Sequence, residues 1–351
     1  YRGLTSLMLG HLEEAIEYTI KALEINTDLG ILPGIAGNLS TLGEVYERMG
    51  IYEKSEEYFN KALNIYENIK DFMGKVRTSG DIGQLYLSCR RYSEAKELFE
   101  MVLSDERVIH LKRIWAIEMQ NLGFVFFRIK DFEKAIEKIN SAIPVFQNIE
   151  YYKGLTSAYG YLGNINLSLG NIDTGMEYFL MAFELCQKQG YLNNQVNLLF
   201  QMARIKRIQN LYKEALDLLT QMGEILKRIY RPDLSWKINF ELGILAMKHN
   251  KYNDAISFYK KAVEEIENYG WFSLIEISSR DIDENLTEYY KGNRLYQVFI
   301  DYLLERGQNE EAFDLIERTK AFQRLGNRQL ERATFTPEDE LLKREFELID
   351  S

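Results

Sequence analysis

Small residues recur every 40 positions along this chain. The first series begins at Gly3 and the second at Ala15, and their members are, respectively, Gly3, Gly43, Gly83, Gly123, Gly163, Ala203, Gly243, and Ala15, Ser55, Ala95, Ala135, Gly175, Ala215, Ala255. A fixed period between 20 and 50 residues is typical of solenoids, in which each unit buries its apolar face against its neighbours. The sequence therefore predicts a repeat array, an architecture suited to recognising other polypeptides.

Each 40-residue unit has the pattern of two helices. In the unit around Gly43, a first apolar stripe at helical spacing is formed by Leu39, Leu42, Val45 and Tyr46. Gly50 then interrupts the pattern, and a second stripe follows at Ile51, Tyr58, Phe59, Ala62, Leu63, Ile65 and Tyr66. The unit is therefore predicted to be a helical hairpin.

The interrupting position also keeps the period. It is occupied by Gly10, Gly50, Arg90, Lys130, Gly170, Asn210 and Asn250. Five of these seven residues are glycine or asparagine, the residue types that best tolerate a left-handed backbone at a helix C-terminus. We expect tight turns here. The small residues twelve apart, such as Gly43 and Ser55, are expected to face each other and to let the two helices approach to about 8 Å.

Composition excludes several classes of protein. The formal net charge of -10 argues against general affinity for nucleic acid, because phosphate binding depends on accumulated Lys and Arg. The longest apolar stretches are shorter than the 18 or more residues that can span a bilayer, so no membrane partner is expected. Cys89 and Cys186 lie in separate repeats without CxxC spacing, which favours a reducing, cytoplasmic location. The start at Tyr1 without Met suggests a fragment of a longer protein.

Residues that could carry chemistry are scattered. The three histidines, His11, His110 and His249, occupy unrelated positions in the repeat, and none is one turn from another or beside a cysteine. This spacing does not suit a metal site or a cysteine nucleophile with its base. No phosphate-binding glycine motif is present either. We therefore expect no cofactor, no metal and no enzymatic activity within these residues.

The repeat resembles the tetratricopeptide repeat. The resemblance rests on the small residue in the first helix, the aromatic residue three positions later and the alanine and aromatic residue in the second helix, as in Gly43, Tyr46, Ala95 and Phe99. The 40-residue spacing is similar to the longer repeats of kinesin light chains and of the LGN/Pins scaffolds. The resemblance implies an all-α fold, a right-handed superhelical solenoid of antiparallel helix hairpins, with seven units over residues 1–268, the first truncated.

The regular pattern ends after this array. Residues 269–293 are predicted to form an irregular helical segment, 294–328 one additional hairpin, and 329–351 a C-terminal helix that leads towards a further domain or docks on the array. The string EEAFDLIERTKAFQRL at 310–325 resembles the last helices of repeat arrays that precede CHAT domains, which are caspase-like peptidases. This resemblance implies that any peptidase activity would lie outside the chain.

The same resemblance implies where a partner binds. In the family, ligands contact positions two, five, nine, twelve and thirteen of each unit, on first helices that line the concave side. The matching residues here are Arg77, Gln84, Gln120, Phe124, Phe127, Arg128, Asn164, Leu167, Asn197, Phe200, Arg204, Arg207, Lys237, Phe240, Ile244, Met247 and Lys248. The later members combine cations with apolar side chains, which suits a peptide or protein that carries carboxylates and one or two apolar anchors.

Three functions remain open at this point. The first is a non-catalytic recognition array that acts as the sensor of a larger protein, such as one with a CHAT peptidase. The second is a stand-alone scaffold or adaptor. The third is a peptide sensor of the bacterial Rap type, which would carry a separate amino-terminal effector bundle. For any single residue of the proposed partner-binding set, the alternative role is packing between repeats.

Overall fold

A computed structural model describes residues 2–9, 11–229, 232–269 and 292–318. These residues fall into two compact units, 2–102 and 103–317. The first unit is built from the helices α1 (Arg2–Leu9), α2 (Leu12–Asp28), α3 (Leu32–Arg48), α4 (Tyr52–Asn68), α5 (Phe72–Ser88) and α6 (Tyr92–Ser104). The second contains a short 3-10 helix (Val108–His110) and α7 (Lys112–Arg128), α8 (Phe132–Asn148), α9 (Tyr152–Ser168), α10 (Ile172–Gln189), α11 (Leu192–Ile208), α12 (Tyr212–Leu226), α13 (Pro232–Lys248), α14 (Tyr252–Tyr269) and α15 (Gly292–Glu305).

Within each unit, consecutive helices pack as antiparallel hairpins. The pairs α3 with α4, α7 with α8, α9 with α10, α11 with α12 and α13 with α14 make the most extensive contacts. No strand occurs among the described residues. The prediction of an all-α solenoid built from helical hairpins is therefore confirmed. We call α3, α5, α7, α9, α11 and α13 the first helices and their partners α4, α6, α8, α10, α12 and α14 the second helices.

The turns have the predicted left-handed residue. At the end of α3, Gly50 has φ +75°, its N–H donates to the carbonyl of Glu47 at 2.9 Å, and the N–H of Ile51 donates to that of Tyr46 at 2.9 Å. This is the Schellman pattern, which satisfies the last carbonyls of the helix. Every predicted turn position that the structure describes has a positive φ, including the non-glycine residues Arg90, Lys130, Asn210 and Asn250. Gly10 lies outside the described residues.

The small residues mark where the two helices of a hairpin meet. Ser55 Oγ donates to the carbonyl of Gly43 at 2.8 Å, as expected for a pair twelve residues apart. The closest side chain, however, belongs to the residue sixteen positions on. A Cβ at Gly83 would lie 2.3 Å from Phe99 Cε1, and one at Gly243 would lie 2.5 Å from Tyr259 Cε1. The period in glycine is thus matched by a period in buried side chains that pack on the bare backbone, most of them aromatic rings.

Helix α6 is the shortest of the second helices. Helix α6 ends at Ser104, and the 3-10 helix Val108–His110 completes the length that a full second helix would have. Asp105 stabilises the intervening bend, since its Oδ1 accepts from the backbone N–H of Arg107 at 3.0 Å. The 40-residue period is preserved because the 3-10 segment replaces the missing helical turn.

At the C-terminal end, α15 is followed by a turn at Gly307 and a helical stretch at 309–318. This hairpin packs on α14, where the Tyr259 ring lies 5.4 Å from that of Phe299 and Lys260 Nζ lies 2.6 Å from Glu311 Oε1. The predicted irregular segment at 269–293 lies almost entirely outside the described residues. The same is true of residues 319–328 of the additional hairpin and of the predicted helix at 329–351.

Candidate functional site

The residues that the resemblance singled out all lie on first helices. Two of them are on α5 of the first unit, where Arg77 is exposed and Gln84 is half-buried. The neighbouring Asp81 was not predicted. Burial, together with the carboxylates of Glu44 and Glu47 on α3, raises the pKa of Asp81 to about 7, and Arg77 opposes the shift. This part of the first unit is therefore acidic, with one carboxylate that titrates near neutrality.

In the second unit, α7 and α9 contribute an aromatic pair to the surface. Phe124 and Tyr161 are half-buried, and their rings stack with centroids 4.9 Å apart and planes inclined by 29°. The guanidinium of Arg128 lies 5.9 Å from the Phe124 centroid. Phe127 is buried and contacts Phe132 at 6.1 Å between centroids, so it contributes to packing within the hairpin. Burial raises the pKa of Tyr161 to about 12, and this phenol stays protonated.

Buried amides lie beside this pair. Gln120 on α7 and Asn164 on α9 are 5% and 4% exposed. Asn121, next to Gln120, donates from Nδ2 to Glu118 Oε2 at 3.2 Å. Amide side chains can both donate and accept, so they suit contacts with the backbone of an extended peptide.

The helices α11 and α13 hold a buried charged cluster, here called the cation cluster: Arg204, Arg207 and Lys237, with the carboxylate of Glu241. Arg204 and Lys237 are 5% and 6% exposed. Arg207 Nε donates to Glu241 Oε2 at 2.7 Å, with side-chain exposures of 11% and 2%. Burial raises the pKa of Glu241, while Arg207 and Arg204 oppose that shift.

An aromatic ring and an amide complete the surroundings of this cluster. The guanidinium of Arg204 and the Nζ of Lys237 lie 5.9 Å and 5.8 Å from the centroid of Phe200, which is within the range of cation–π attraction. Arg204 also donates from Nη1 to Gln201 Oε1 at 2.8 Å. The cluster therefore combines cations, a carboxylate and an apolar ring in a site of low water content, where charge interactions are strengthened.

The remaining predicted residues lie near the cluster in sequence but differ in exposure. Phe240 is fully buried and packs between Trp236 and Tyr259, with centroids 6.3 Å and 6.0 Å away. Met247 accepts a hydrogen bond at Sδ from Tyr259 at 2.8 Å. The others are exposed or lie within the hairpin packing: Asn197 and Lys248 are exposed, Leu167 is half-buried and Ile244 is buried. Phe240 and Ile244 thus belong to the core of the array.

Sequence reasoning missed Asp81, Tyr161, Gln201 and Glu241, all at the sixth position of a unit. A signal was present, because reading every 40 residues from Thr41 gives Asp81, Asn121, Tyr161, Gln201 and Glu241, a series without one aliphatic residue. The series is not one of the positions that the family uses for ligands. In the structure Tyr161 meets the ninth position of the preceding first helix, Phe124, and Glu241 meets the twelfth, Arg207.

Neither a metal-binding cluster nor a thiol with a lowered pKa is found among the described residues. No group of three or more His, Cys, Asp or Glu side chains among them is placed to hold a metal ion. Both cysteines are free thiols, and burial raises the pKa of Cys89 to about 11 and that of Cys186 as well, which lowers their reactivity. Across the part of the chain that the structure describes, each helix is too short or too polar to cross a membrane.

Comparison with known proteins places this architecture among helical repeats. Residues 34–104 match the family model of the tetratricopeptide repeat. No curated protein sequence matches the chain. Several solved structures share the fold at low sequence identity.

Three of these structures illustrate the similarity. BtubC (BKLC) from P. vanneervenii has a TM-score of 0.52 and 18% identity, over 62% of this chain and 91% of that one. A Rap protein complexed with competence and sporulation factor has a TM-score of 0.56 and 17% identity, over 75% and 72%. NprR in complex with its cognate peptide NprX has a TM-score of 0.55 and 14% identity, over 75% and 74%. Residues 34–104 therefore match the tetratricopeptide repeat, and the described hairpins of this chain share the helical fold of these structures.

Proposed function

We propose that this chain is a non-catalytic protein-interaction module that binds an acidic peptide on the first helices of its second unit. The observation that carries the proposal is the cation cluster, in which Arg204 and Lys237 lie over the Phe200 ring and Arg207 pairs with Glu241, all at low exposure. A carboxylate that entered this site would meet charge-assisted donors in a poorly hydrated environment, where such bonds are strongest.

The aromatic pair supplies the second half of the proposed site. Phe124 and Tyr161 remain half-buried, so their rings can cover an apolar side chain of the ligand. Between this pair on α7 and α9 and the cluster on α11 and α13 there are two steps from one first helix to the next. Neighbouring packed helices lie about 8 to 10 Å apart, which makes the span roughly 16 to 20 Å. An extended peptide covers about 3.3 Å per residue, so the anchor and the carboxylate would be about five or six residues apart.

The proposal can be tested with twelve-residue peptide pools. Each pool fixes one phenylalanine and one glutamate at a chosen separation and leaves the other positions degenerate, and matched pools carry glutamine in place of glutamate. We expect fluorescence anisotropy to show the tightest binding at separations of five or six and at least a tenfold loss when glutamate is replaced. Binding that ignores both the separation and the glutamate would refute the proposal.

Protein variants test the same site from the other side. The double variant Arg204→Gln with Lys237→Gln should lose binding of the preferred pool, because it removes two donors of the cluster. The matched control, Lys213→Gln with Lys227→Gln, removes two exposed cations, one on α12 and one directly after it, and should keep binding within about twofold. Circular dichroism establishes that both variants are folded before they are compared.

A peptide sensor of the Rap type is the second candidate. It is supported by the similarity to the Rap protein with its bound factor and to NprR with its cognate peptide, both at TM-scores above 0.5. In such a sensor, peptide binding would change the conformation of the array and alter the action of an attached effector. Small-angle scattering with and without the preferred pool distinguishes this candidate from a scaffold, since a scaffold predicts no change in radius of gyration.

An attached effector such as a CHAT peptidase remains part of the proposal. It is supported by the resemblance at 310–325, of which residues 310–318 are helical and the rest lie outside the described residues. The reading frame of the gene beyond Ser351 tests it, because a stand-alone adaptor would have no effector there. The two free cysteines are consistent with work in a reducing compartment, which we propose to be the cytoplasm.

A further inference from the structure

Glu241 is a buried carboxylate at the sixth position of its repeat, the position that Asp81 occupies in the first unit. The first helices of the second unit carry neutral side chains at the same position, namely Asn121, Tyr161 and Gln201. Glu241 is a carboxylate, is 1% exposed and lies against the arginines that would receive a ligand. Burying a carboxylate costs free energy unless it is well paired, so its presence here calls for a physical explanation.

The pairing of Glu241 is incomplete within the described residues. Its Oε2 accepts one hydrogen bond from Arg207 Nε at 2.7 Å, whereas its Oε1 is buried and has no hydrogen-bond partner there. A bidentate pair would engage both oxygens and would be considerably stronger. The single hydrogen bond between Glu241 and Arg207 is therefore weaker than a bidentate arginine–carboxylate pair. A second carboxylate can compete with Glu241 for Arg207.

The charged groups around Glu241 all favour such an exchange. Helix α11 presents Arg207 and Arg204, and α13 itself presents Lys237 one turn before Glu241. The other packed helices also carry carboxylates, which have partners of their own, although Glu265 Oε2 is buried without a hydrogen-bond partner among the described residues. On α14, Glu265 Oε1 accepts from Asn239 at 3.0 Å, and on α12, Glu214 lies 2.7 Å from Lys206. The titratable neighbours acting directly on Glu241 are thus cations.

We infer that Glu241 is an internal stand-in for the ligand's carboxylate. In this structure Glu241 pairs with Arg207, and an entering carboxylate takes over that contact while Glu241 takes up a proton from solvent. The exchange conserves the net charge of the cluster with its bound carboxylate, because one negative charge enters as another is neutralised. Glu241 therefore sets specificity: it prevents weak anions from filling the site and couples binding to pH. This inference rests on the proposed function, since it assigns a role within the same site.

Sulfate is the probe for the test, because it keeps its charge across the pH range used and needs no knowledge of the natural ligand. The side-chain ¹⁵N resonances of arginine report its binding at pH 5.5, 6.5, 7.5 and 8.5 at constant ionic strength. For the wild-type protein we expect the affinity for sulfate to rise as pH falls and Glu241 becomes neutral. For Glu241→Gln we expect affinity at pH 7.5 at least tenfold higher than that of the wild type, and nearly independent of pH.

The controls separate the outcomes. The variant Glu241→Gln with Arg207→Met should lose the gain in affinity, which shows that Arg207 receives the anion. Equal affinity of the wild type and Glu241→Gln, or no measurable binding by either, overturns the inference. If Glu241→Gln does not fold, the pH dependence of the wild-type protein alone decides, and a flat profile overturns the inference. Failure of the proposed function is seen separately, when sulfate binds as expected but no glutamate-containing peptide pool does.

Discussion

Helix α9 contains two glycines one turn apart that should respond in opposite ways to the same substitution. A Cβ at Gly163 would lie 2.7 Å from Phe179 Cε1 and 2.9 Å from its Cδ1, whereas ordinary contacts begin near 3.4 Å. Phe179 is fully buried, so its ring cannot move into solvent. A Cβ at Gly160 would meet no described side chain or neighbouring helix within 4 Å.

The magnitudes follow from these distances. Gly163→Ala gains about 1 kcal/mol of helix propensity but forces Phe179 to move by several tenths of an ångström in a packed core, which typically costs about 1 to 3 kcal/mol. The net destabilisation is therefore between about 0 and 2 kcal/mol, and we expect a value near 1 kcal/mol, at the middle of this range. Gly160→Ala keeps the gain in helix propensity without the clash, so we expect a stabilisation of about 0.5 to 1 kcal/mol.

Hydrogen exchange of α9 and α10 amides is the suitable assay, because repeat arrays can unfold locally and a single unfolding free energy is then poorly defined. Each 1.4 kcal/mol corresponds to about tenfold in protection. Protection in Gly163→Ala should fall about fivefold and that in Gly160→Ala should rise several-fold. If Gly163→Ala were as protected as Gly160→Ala, close packing would not explain the recurring small residues.

Three further predictions follow from charged and aromatic groups. The pKa of Asp81 is about 7 in the folded chain, against an ordinary value of 3.8, so the free energy of unfolding of the wild type should fall as pH rises from about 4 to 7. Asp81→Asn should be about 1 to 2 kcal/mol more stable than the wild type between pH 5 and 8, as measured by urea denaturation. Arg207→Met should destabilise by about 3 kcal/mol at pH 8 and less at pH 5, where Glu241 can take up a proton, whereas Lys227→Met, at an exposed pair, should change thermal unfolding little. Tyr161→Ala should weaken binding of the preferred peptide pool about tenfold, as measured by anisotropy. Tyr161→Phe should not weaken it, because the aromatic ring and not the hydroxyl group makes the contact.

The regular part of the fold is predictable because the repeat exposes it in the sequence. A left-handed turn at Arg90 or Lys130 has no local signal, since neither residue favours a positive φ, yet the 40-residue period places both at turns. The close approach at Gly43 was also predicted, although Phe59, rather than Ser55, is the side chain that a Cβ would strike. The 3-10 interruption at Val108–His110 was not predicted, because it preserves the period.

The candidate site is less predictable for a physical reason. Arg204, Arg207 and Lys237 could be named from their positions in the unit, but their burial depends on how α11 packs against α13. Glu241 could not be recognised as their partner, because the contact joins residues 34 apart at two different positions of the unit. Side chains that meet across neighbouring repeats are set by helix packing, which a single sequence does not specify residue by residue.

The central claim, that a ligand lies along the first helices of the second unit, can be tested by photo-crosslinking. The preferred peptide pool is synthesised with a benzophenone side chain in place of its phenylalanine, irradiated with the wild-type protein, and the adducts are located by mass spectrometry. Our account predicts adducts on α7 and α9, around Phe124 and Tyr161, that disappear when Arg204 and Lys237 are both changed to glutamine. Adducts on the second helices α8, α10 or α12, or adducts that persist in that variant, would contradict it.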